Sequence, residues 1–308
     1  MSAIEGAPEQ VLEAQLKRVP AWTGRNLNYS RIQGGITNLN WLVTLKDEGI
    51  RYFAKLPGAK TEIFIDRHLA HEAARKAADT GFAPGIIFIA PDGAIEVHEF
   101  LEGYRSCNVA DLLNADVRAN VARAYRAIHR TQQLSGVKTG FDQLRERLAQ
   151  VRDHGGRLPR DLEQLLWQAK RVEEAVTAAG MDYCMCFNDA YVTNYMVDAQ
   201  RNVKIIDWEY ASNNDPYWDL GMFREETFLE GDALRQFIEA HDGTFTEAAE
   251  ARVFLYGGVG MLLWSFWAAL QARISTVPFD FAKYSELLAL RARARMDSES
   301  WEEALLTV

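Results

Sequence analysis

The chain has 308 residues, of which 48% are hydrophobic and 25% charged, the balance of a soluble globular protein with one large domain or two lobes. This composition excludes a disordered, fibrous or collagen-like chain. The net charge of −9, from 34 basic and 43 acidic residues, disfavours a nucleic-acid partner, because binding to phosphates needs a basic face.

The first hundred residues have the pattern of a small β-rich unit with one helix inside it. Asp47-Glu48-Gly49 and Pro91-Asp92-Gly93 each separate two apolar runs, which is typical of β-hairpins. The predicted elements, in chain order, are a helix over 8–18, strands from Tyr29 onward, a hairpin of Leu39–Leu45 with Arg51–Leu56, a helix over Thr61–Thr80 and a hairpin of Gly85–Ala90 with Ala94–Phe100.

After Gly103 the pattern changes to long amphipathic helices. Helices are predicted over 108–134, 140–153, 158–179, 217–241, 246–272 and 280–296, and a short β segment is predicted over 183–206. A sheet unit followed by a helical unit predicts an α+β, two-lobed fold, with a small β-rich lobe over 1–101 and a large helical lobe over 102–308.

One apolar run needs to be compared with a membrane span. Val253–Leu270 has no charged residue over 18 positions, which reaches the length that crosses a bilayer. The run contains three glycines and lacks basic flanks, so a buried core helix and no membrane insertion are predicted. The first ten residues lack the basic and apolar regions of a signal peptide.

The cysteines and histidines give no metal-site prediction. Cys107, Cys184 and Cys186 include no CxxC pair and cannot all pair with one another, which predicts a reduced, cytoplasmic protein. The six histidines are scattered along the chain, and only His68 and His71 share helical spacing. A third ligand for a histidine metal site cannot be named from this pattern.

The β segment carries the pattern with the clearest chemistry. Asp189 is followed after four residues by Asn194, the spacing of a catalytic loop in phosphoryl-transfer enzymes. The short strand 203–206 then runs into Asp207, where such enzymes hold a metal that bridges phosphates. Each residue alone is equally typical of a turn or a strand end, but together they predict a Mg²⁺-dependent phosphoryl transfer.

The first lobe contains residues typical of a nucleotide-binding site. Gly34-Gly35-Ile36-Thr37-Asn38 lies between two predicted strands, where glycines let backbone N–H groups approach phosphates. Lys55 lies near the end of the next strand, and Glu72 lies 17 residues later on the predicted helix. A strand lysine paired with a helix glutamate is how kinases hold the α- and β-phosphates.

These motifs, in this order, resemble the choline/ethanolamine kinase family, which shares its fold with protein kinases and aminoglycoside phosphotransferases. The run around Asp207 and the paired tryptophans Trp264 and Trp267 distinguish this family from kinases at large. The matching stretches, within residues 30 to 290, are 34–40, 55–58, 65–67, 186–194, 206–211, 214–216, 219–220, 263–268 and 271–272.

The resemblance implies a role for each matching position. Asp189 is expected to be the catalytic base, and Asn194 and Asp207 are expected to bind Mg²⁺. Lys55 is expected to hold the ATP phosphates, with Glu72 positioning Lys55, and the turn with Gly34, Gly35, Thr37 and Asn38 is expected to lie over the phosphates. The backbone of Glu99-Phe100-Leu101 is expected to bind adenine. One position departs from the family. Phe187 stands where the family usually has a histidine that supports the loop.

The alcohol pocket is expected around two tryptophans. Trp264 and Trp267 are three residues apart on one predicted helix, so they share a face. Aromatic faces attract quaternary ammonium groups, although two tryptophans in an apolar helix are also typical of a core. The resemblance places Tyr210, Glu226 and Tyr284 near them, with Glu226 as the countercharge.

The predicted function is an ATP- and Mg²⁺-dependent kinase for choline or ethanolamine. Two alternatives stay open, namely a kinase of the same fold for thiamine, an aminoglycoside or another small alcohol, and a catalytically weak binding protein suggested by Phe187. A eukaryotic-type protein kinase is disfavoured because Asp215-Pro216 follows Asp207 too soon for a long activation loop. The oligomeric state also stays open, with a homodimer among the options.

Overall fold

The computed structural model describes residues 8–33, 38–58 and 61–308. Gly34, Gly35, Ile36 and Thr37 of the predicted glycine turn lie outside the described residues. The strands are β1 Leu27–Arg31, β2 Leu39–Leu45, β3 Ile50–Leu56, β4 Ile86–Ile89, β5 Glu96–Glu99, β6 Arg105–Ser106, β7 Cys184–Cys186, β8 Tyr195–Val197, β9 Val203–Ile205 and β10 Ser212–Asn214. The helices are α1 Pro8–Leu16, α2 Arg67–Asp79, α3 Val109–Leu113, α4 Ala115–His129, α5 Gly140–Asp153, α6 Leu162–Ala179, α7 Pro216–Thr227, α8 Gly231–Asp242, α9 Glu247–Ile274, α10 Phe281–Met296 and α11 Glu299–Thr307.

The N-terminal part is a five-stranded antiparallel sheet in the order β1-β2-β3-β5-β4. Both predicted hairpins are confirmed, because β2 pairs with β3 and β4 pairs with β5. Alternate residues of β2, including Trp41 and Val43, face a small core that α1 completes with Leu12 and Leu16. The register of β3 and β5 sets Lys55 directly opposite Glu96, and this pairing positions the site described below.

The sequence predicted that helix α2 begins at Thr61, but α2 begins at Arg67. The Asp66 carboxylate accepts the N–H groups of His68 and Leu69 at 3.0 and 3.1 Å, so it caps the helix at this point. A separate 3₁₀ turn at Thr61–Ile63 precedes the cap. The single helix predicted over Thr61–Thr80 is therefore two elements, the 3₁₀ turn and α2.

Two other predicted helices are also divided. The predicted helix 108–134 is α3 and α4, because the Asn114 side chain accepts the N–H groups of Asp116 and Val117 and starts a new helix. The predicted helix 217–241 is α7 and α8, separated where Phe228 adopts the left-handed conformation with φ 55°. Strands β6 and β10 and helix α11 were not predicted.

The helical part is built around α9. This is the one helix in the described ranges that is long and apolar enough to cross a membrane by length and composition, and 89% of its most apolar window is buried inside the protein. It contacts α5, α6, α7, α8, α10 and α11. The apolar run therefore forms the centre of the core, in agreement with the predicted core helix.

Helices α7 and α9 cross at glycines. A Cβ atom at Gly221 would lie 2.7 Å from the Val253 carbonyl oxygen and 3.0 Å from the Gly257 nitrogen. A Cβ at Gly257 would in turn lie 2.9 Å from a Glu225 carboxylate oxygen. The two backbones can approach this closely only because neither position carries a side chain.

Gly221→Ala is expected to lower the free energy of unfolding by about 1–3 kcal/mol, because the added methyl group meets backbone atoms that cannot move aside. Urea unfolding monitored by circular dichroism measures this change. Glu239→Ala, at an exposed position of α8, is the control and should stay within about 0.5 kcal/mol of the parent. A stable Gly221→Ala variant would show that the helices do not cross this closely.

Candidate active site

Two cavities meet between the sheet and the helices. The sheet-side cavity has a volume of about 510 Å³ and lies under β2, β3 and β5. The helix-side cavity has a volume of about 320 Å³ and lies between α7, α9 and α10. Thr193, Asn194 and Asp207 line both cavities, so a ligand in one can meet a ligand in the other at these residues.

Asp219 of α7 anchors the loop that carries Asp189. The carboxylate of Asp219, which is fully buried, accepts the backbone N–H of Phe187 at 2.8 Å and that of Asn188 at 2.6 Å. His129 at the end of α4 contacts the same carboxylate through Nε2 at 2.9 Å. Because charge-assisted hydrogen bonds of this kind are strong, Asp219 fixes the start of the loop.

Asn188 adopts a left-handed backbone conformation with φ 64°, which is unfavourable for most residues. Its side chain donates to the Tyr210 carbonyl at 2.9 Å and to the Ser212 hydroxyl at 2.8 Å, and accepts from Asn214 Nδ2 at 3.0 Å. These hydrogen bonds hold Asn188 in this unfavourable conformation, and the next residue, Asp189, lines the helix-side cavity.

Phe187, which departs from the family pattern, is a core residue in the structure. Its ring is fully buried and meets the Trp208 ring edge-on, with centroids 4.9 Å apart. The Tyr195 ring lies on another side, at a centroid distance of 6.4 Å. Phe187 therefore supports the loop by aromatic packing, while its backbone N–H makes the bond to Asp219.

The structure brings Asp189, Asn194 and Asp207 together, in agreement with the sequence pattern. Asn194 Nδ2 donates to Asp189 Oδ2 at 3.0 Å. The Asn194 carbonyl accepts the N–H of Ile206 at 2.9 Å, which ties the loop to the residue before Asp207. Asp207 itself has a left-handed conformation with φ 68°, and its carboxylate is 33% exposed toward the cavities.

The carboxylate of Asp189 has an unusual protonation equilibrium. Burial, together with the negative charges of Asp207 and Glu226, raises the pKa of Asp189 well above its ordinary value. The hydrogen bond from Asn194 opposes this shift. A carboxylate with a raised pKa is a stronger proton acceptor than an exposed aspartate, which suits general-base chemistry.

Lys55 is buried among acidic side chains. Its Nζ lies 3.2 Å from Asp207, 3.3 Å from Glu209 and 3.3 Å from Glu96. Burial alone would lower the pKa of Lys55, but the charges of Glu209, Glu96 and Asp207 raise it instead. Lys55 is therefore cationic at neutral pH and points toward the place where Asp207 lines the cavities.

The predicted ion pair between Lys55 and Glu72 is wrong. Glu72 instead accepts from Lys76 Nζ at 2.8 Å and from the Ser135 hydroxyl at 2.6 Å, and these bonds lower the pKa of Glu72 to about 2 against the opposing effect of burial. Successive helix residues are rotated by about 100°, and His71 rather than Glu72 faces the sheet, with Nε2 3.3 Å from Glu96. Glu72 therefore ties α2 to the segment after α4.

Asn38, the last residue of the predicted glycine segment, contacts the acidic group around Lys55. Its Nδ2 donates to Glu209 Oε2 at 3.0 Å, and its Oδ1 accepts the Gly58 N–H at 3.3 Å. Arg67 contacts the same glutamate at 2.6 Å. Although burial raises the pKa of Glu209, the charges of Lys55 and Arg67 lower it overall, so this carboxylate stays ionised.

The predicted hinge, Glu99, Phe100 and Leu101, begins at the last residue of β5 and lines the sheet-side cavity. Further apolar side chains line the same cavity from both sides, namely Ile32, Leu42, Ala83, Ile86, Met196 and Ile206. A slot with apolar walls and an exposed backbone edge suits a flat heteroaromatic ring.

The helix-side cavity is lined by aromatic rings. Trp264 meets Trp267 edge-on at a centroid distance of 5.6 Å and meets Tyr210 at 5.1 Å. Trp267 Nε1 donates to the Tyr210 hydroxyl at 2.7 Å, which fixes both rings. Tyr284 of α10 also lines this cavity, so all four aromatic residues expected here share it.

Glu226 is the acidic side chain on the α7 wall of this cavity. Burial raises the pKa of Glu226 to about 7, in spite of Arg291, whose Nη1 lies 3.9 Å from the carboxylate. Ionisation of Glu226 therefore falls within the physiological pH range. A ligand cation beside it would favour the ionised form.

Asn194 and Asp207 could hold a metal ion where the cavities meet. A carboxylate and a carboxamide supply hard oxygen ligands, which suit Mg²⁺ with a few protein ligands and several from a ligand phosphate. Both side chains reach the space that the two cavities share. The donor chemistry therefore fits the ion that the sequence predicted.

Sequence reasoning assigned no role to three residues of this site, Glu96, Glu209 and Asp219. Glu209 and Asp219 belong to the stretches that carry the family resemblance, which was the available signal. Glu96 lies opposite Lys55 only because β3 pairs with β5, and the sequence does not state which strands are neighbours.

Comparisons with known proteins identify the family of the chain. The family model described as choline/ethanolamine kinase matches residues 29–257. The chain is 24% identical to ethanolamine kinase 1 from Mus musculus over 314 aligned positions, which cover 86% of this chain and 83% of the mouse protein.

Solved structures give the same result. A choline/ethanolamine kinase family protein from Mesorhizobium loti superposes with a TM-score of 0.82 at 24% identity, covering 97% of this chain and 98% of that chain. The choline kinase LicA from Streptococcus pneumoniae superposes with a TM-score of 0.78 at 21% identity, covering 92% and 98%. The predicted two-lobed, kinase-like fold is confirmed. Since the family model matches most of its length, the chain belongs to the choline/ethanolamine kinase family.

Proposed function

We propose that this protein transfers the γ-phosphate of ATP to the hydroxyl group of a small amino alcohol, choline or ethanolamine. The observation that carries the proposal is the meeting of two cavities at Asn194 and Asp207. One cavity suits a nucleotide and the other suits a small cation. Their shared region therefore suits a phosphate from one side and a hydroxyl from the other.

The nucleotide is proposed to occupy the sheet-side cavity. The backbone of Glu99, Phe100 and Leu101 would bind the adenine edge, and Lys55 would bind the phosphates. Lys55 is held by three carboxylates, so its charge is both positioned and preserved in a buried place. The segment that contains Gly34, Gly35 and Thr37 is proposed to cover the phosphates. Glu72 is proposed to anchor α2 through Ser135 and not to position Lys55.

Asn194 and Asp207 are proposed as Mg²⁺ ligands. When bound, Mg²⁺ would neutralise phosphate charge and so assist transfer. Asp207 also contacts Lys55 at 3.2 Å, which keeps its carboxylate oriented toward the shared region. Asn194 donates to Asp189 through Nδ2, so its Oδ1 is the atom that suits a cation.

Asp189 is proposed as the general base. It lines the helix-side cavity beside Asn194, where the hydroxyl of a bound alcohol would lie. As a carboxylate beside the bound hydroxyl, it would take the hydroxyl proton as the new O–P bond forms. The hydrogen bond from Asn194 keeps the carboxylate in one orientation.

The cationic head group is proposed to lie among Tyr210, Trp264, Trp267 and Tyr284, with Glu226 as countercharge. Ring faces attract a quaternary ammonium without hydrogen bonds, so this lining favours choline. A primary ammonium would need several hydrogen-bond acceptors around it, whereas the α7 wall offers it the single carboxylate of Glu226. We therefore propose choline as the better substrate of the two.

Two further proposals concern the whole chain. The lobe boundary is proposed between Leu101 and Glu102, since β5 ends at Glu99 and β6 already pairs with β8 of the helical part. A cytoplasmic location is proposed because Cys107, Cys184 and Cys186 are free thiols.

A panel of choline, ethanolamine, thiamine and an aminoglycoside, with ATP consumption as the readout, tests the proposed function. We expect choline to give the highest kcat/KM. Trp264→Leu should raise KM for choline by about two- to thirtyfold, the equivalent of a cation–π contact of about 0.5–2 kcal/mol, with little change in KM for ATP. A neutral isostere with carbon in place of nitrogen should be a much poorer substrate.

Trp167→Leu is the matched control, because Trp167 is 52% exposed on α6 and lines neither cavity. It should leave both KM values unchanged. Equal turnover of choline and its neutral isostere would contradict the cation site. Turnover of thiamine or the aminoglycoside alone would favour another kinase of the same fold, and no ATP consumption with any alcohol would favour a binding protein.

The pH dependence of choline use is expected to follow Glu226. The pKa of Glu226 is about 7, so the carboxylate loses its charge as pH falls and the attraction for the permanently charged choline is lost with it. KM for choline should therefore rise by up to about tenfold from about pH 8 to about pH 6. KM for the neutral isostere should not change, and Glu226→Gln should give a high KM at every pH. A flat KM for choline in the parent enzyme would contradict this role.

A further inference from the structure

Two cysteines and a histidine come together behind the proposed catalytic loop. His129, Cys184 and Cys186 place one ligand atom each within 4.8 Å of the others. The two sulfur atoms are 3.7 Å apart. None of the three residues lines either cavity, so the cluster is separate from the proposed active site.

We propose that Cys184, Cys186 and His129 form a binding site for a thiophilic d¹⁰ metal ion of the Zn²⁺ type. Two thiolates on one tetrahedral Zn²⁺, with Zn–S distances of about 2.3 Å, lie about 3.8 Å apart. The observed sulfur separation matches this edge of the tetrahedron. A Zn-bound nitrogen lies about 3.6 Å from each sulfur, whereas the three ligand atoms here span up to 4.8 Å, so the His129 ring would have to move by about 1 Å and exchange its contact with His241 for the metal ion.

The fold holds the two sulfurs on one side of a strand. Alternate residues of a strand share a face, so Cys184 and Cys186 of β7 point the same way. Pairing of β7 with β10 fixes their spacing, with Cys184 opposite Asn214 and Cys186 opposite Ser212. The Asn214 carbonyl lies 3.5 Å from the Cys186 sulfur, leaving the fourth position to this oxygen or to water.

The surroundings of the histidine also suit a ligand. His129 is the last residue of α4, and its Nε2 contacts the Asp219 carboxylate at 2.9 Å. Its Nδ1 contacts His241 Nε2 at 2.8 Å, so a metal ion would bind Nδ1 in place of His241. Histidine ligands of metals are commonly oriented by such a carboxylate. Thiolate and imidazole together select soft or borderline ions over Mg²⁺, so this site and the oxygen site at Asp207 would take different metals. Cys184 is half-buried, which gives an ion access from solvent.

Titration of the reduced protein with Cd²⁺, in excess Mg²⁺ to occupy oxygen ligands, tests the site. We expect one equivalent of Cd²⁺ to produce a thiolate-to-metal charge-transfer band. Cys107→Ser is the matched control, because it removes the third cysteine and should keep the full band. The band should be lost in the Cys184→Ser, Cys186→Ser double variant, and His129→Gln should keep the band but bind Cd²⁺ more weakly.

A full band in the double cysteine variant, or equal affinity in His129→Gln, would overturn the proposal. A second measurement uses only the parent protein and so does not depend on whether variants fold. Zn²⁺ at about ten times its Kd should slow alkylation of Cys184 by iodoacetamide about tenfold, since only the metal-free protein reacts. Peptide mass spectrometry measures this rate, and an unchanged rate with Zn²⁺ would contradict the site.

Discussion

Replacing Asp189 with Asn is expected to lower kcat for phosphoryl transfer by about 10²–10⁴-fold, the usual effect of losing a general base. An amide cannot accept the hydroxyl proton, whereas its size and its contact with Asn194 are preserved. Affinity for ATP should change little, because Asp189 lines the helix-side cavity and not the sheet-side cavity. Steady-state kinetics and calorimetry with a non-hydrolysable ATP analogue measure the two quantities.

The matched control for this variant is Asp182→Asn. Asp182 is exposed just before β7, so its replacement removes one negative charge without touching either cavity. It should keep the parent kcat. If Asp189→Asn retained the parent turnover, the proton would have another acceptor and the assignment of Asp189 would be wrong.

The proximity of Asp189, Asn194 and Asp207 could be predicted from the sequence because it depends on local chain geometry. Asp189 and Asn194 lie on one short loop, and Asp207 ends the next short strand, so their proximity needs only a hairpin-like return of the chain. The hydrogen bond from Ile206 N–H to the Asn194 carbonyl makes that return. These relations survive small errors in helix and strand limits.

The partner of Lys55 could not be predicted in the same way. It depends on two non-local quantities, the rotation of α2 about its axis and the neighbour of β3 in the sheet. A rotation of about 100° separates His71, which faces the sheet, from Glu72, which does not. Glu96 becomes the partner through the register of β3 with β5.

The structure also explains the departure at Phe187. A histidine and a phenylalanine differ in hydrogen bonding, so the sequence left the support of the loop in question. In the structure the support comes from the backbone N–H bond to Asp219 and from ring contacts with Trp208 and Tyr195. Neither contribution needs an imidazole. The aromatic replacement is therefore compatible with an ordered loop.

The second large effect is expected at Asp207. Asp207→Ala should weaken ATP binding in the presence of Mg²⁺ by about tenfold or more, about 1.4 kcal/mol or more, because it removes the formal charge proposed to bind the metal. Asn194→Ala should have a smaller effect, since an amide oxygen carries no formal charge. Calorimetric titration of ATP with and without Mg²⁺ separates the two variants.

The measurement without Mg²⁺ gives the sharper test of Asp207. Its carboxylate lies 3.2 Å from Lys55 Nζ, and Glu96 and Glu209 each lie 3.3 Å from the same atom. Removing Asp207 leaves Lys55 with two carboxylates and removes one negative charge from the place proposed for the phosphates, so binding of metal-free ATP should stay equal or become tighter. A variant that lost affinity equally with and without Mg²⁺ would show that Asp207 acts by holding Lys55. Asp182→Ala should leave both affinities unchanged, and only a loss confined to the Mg²⁺ titration supports a metal ligand.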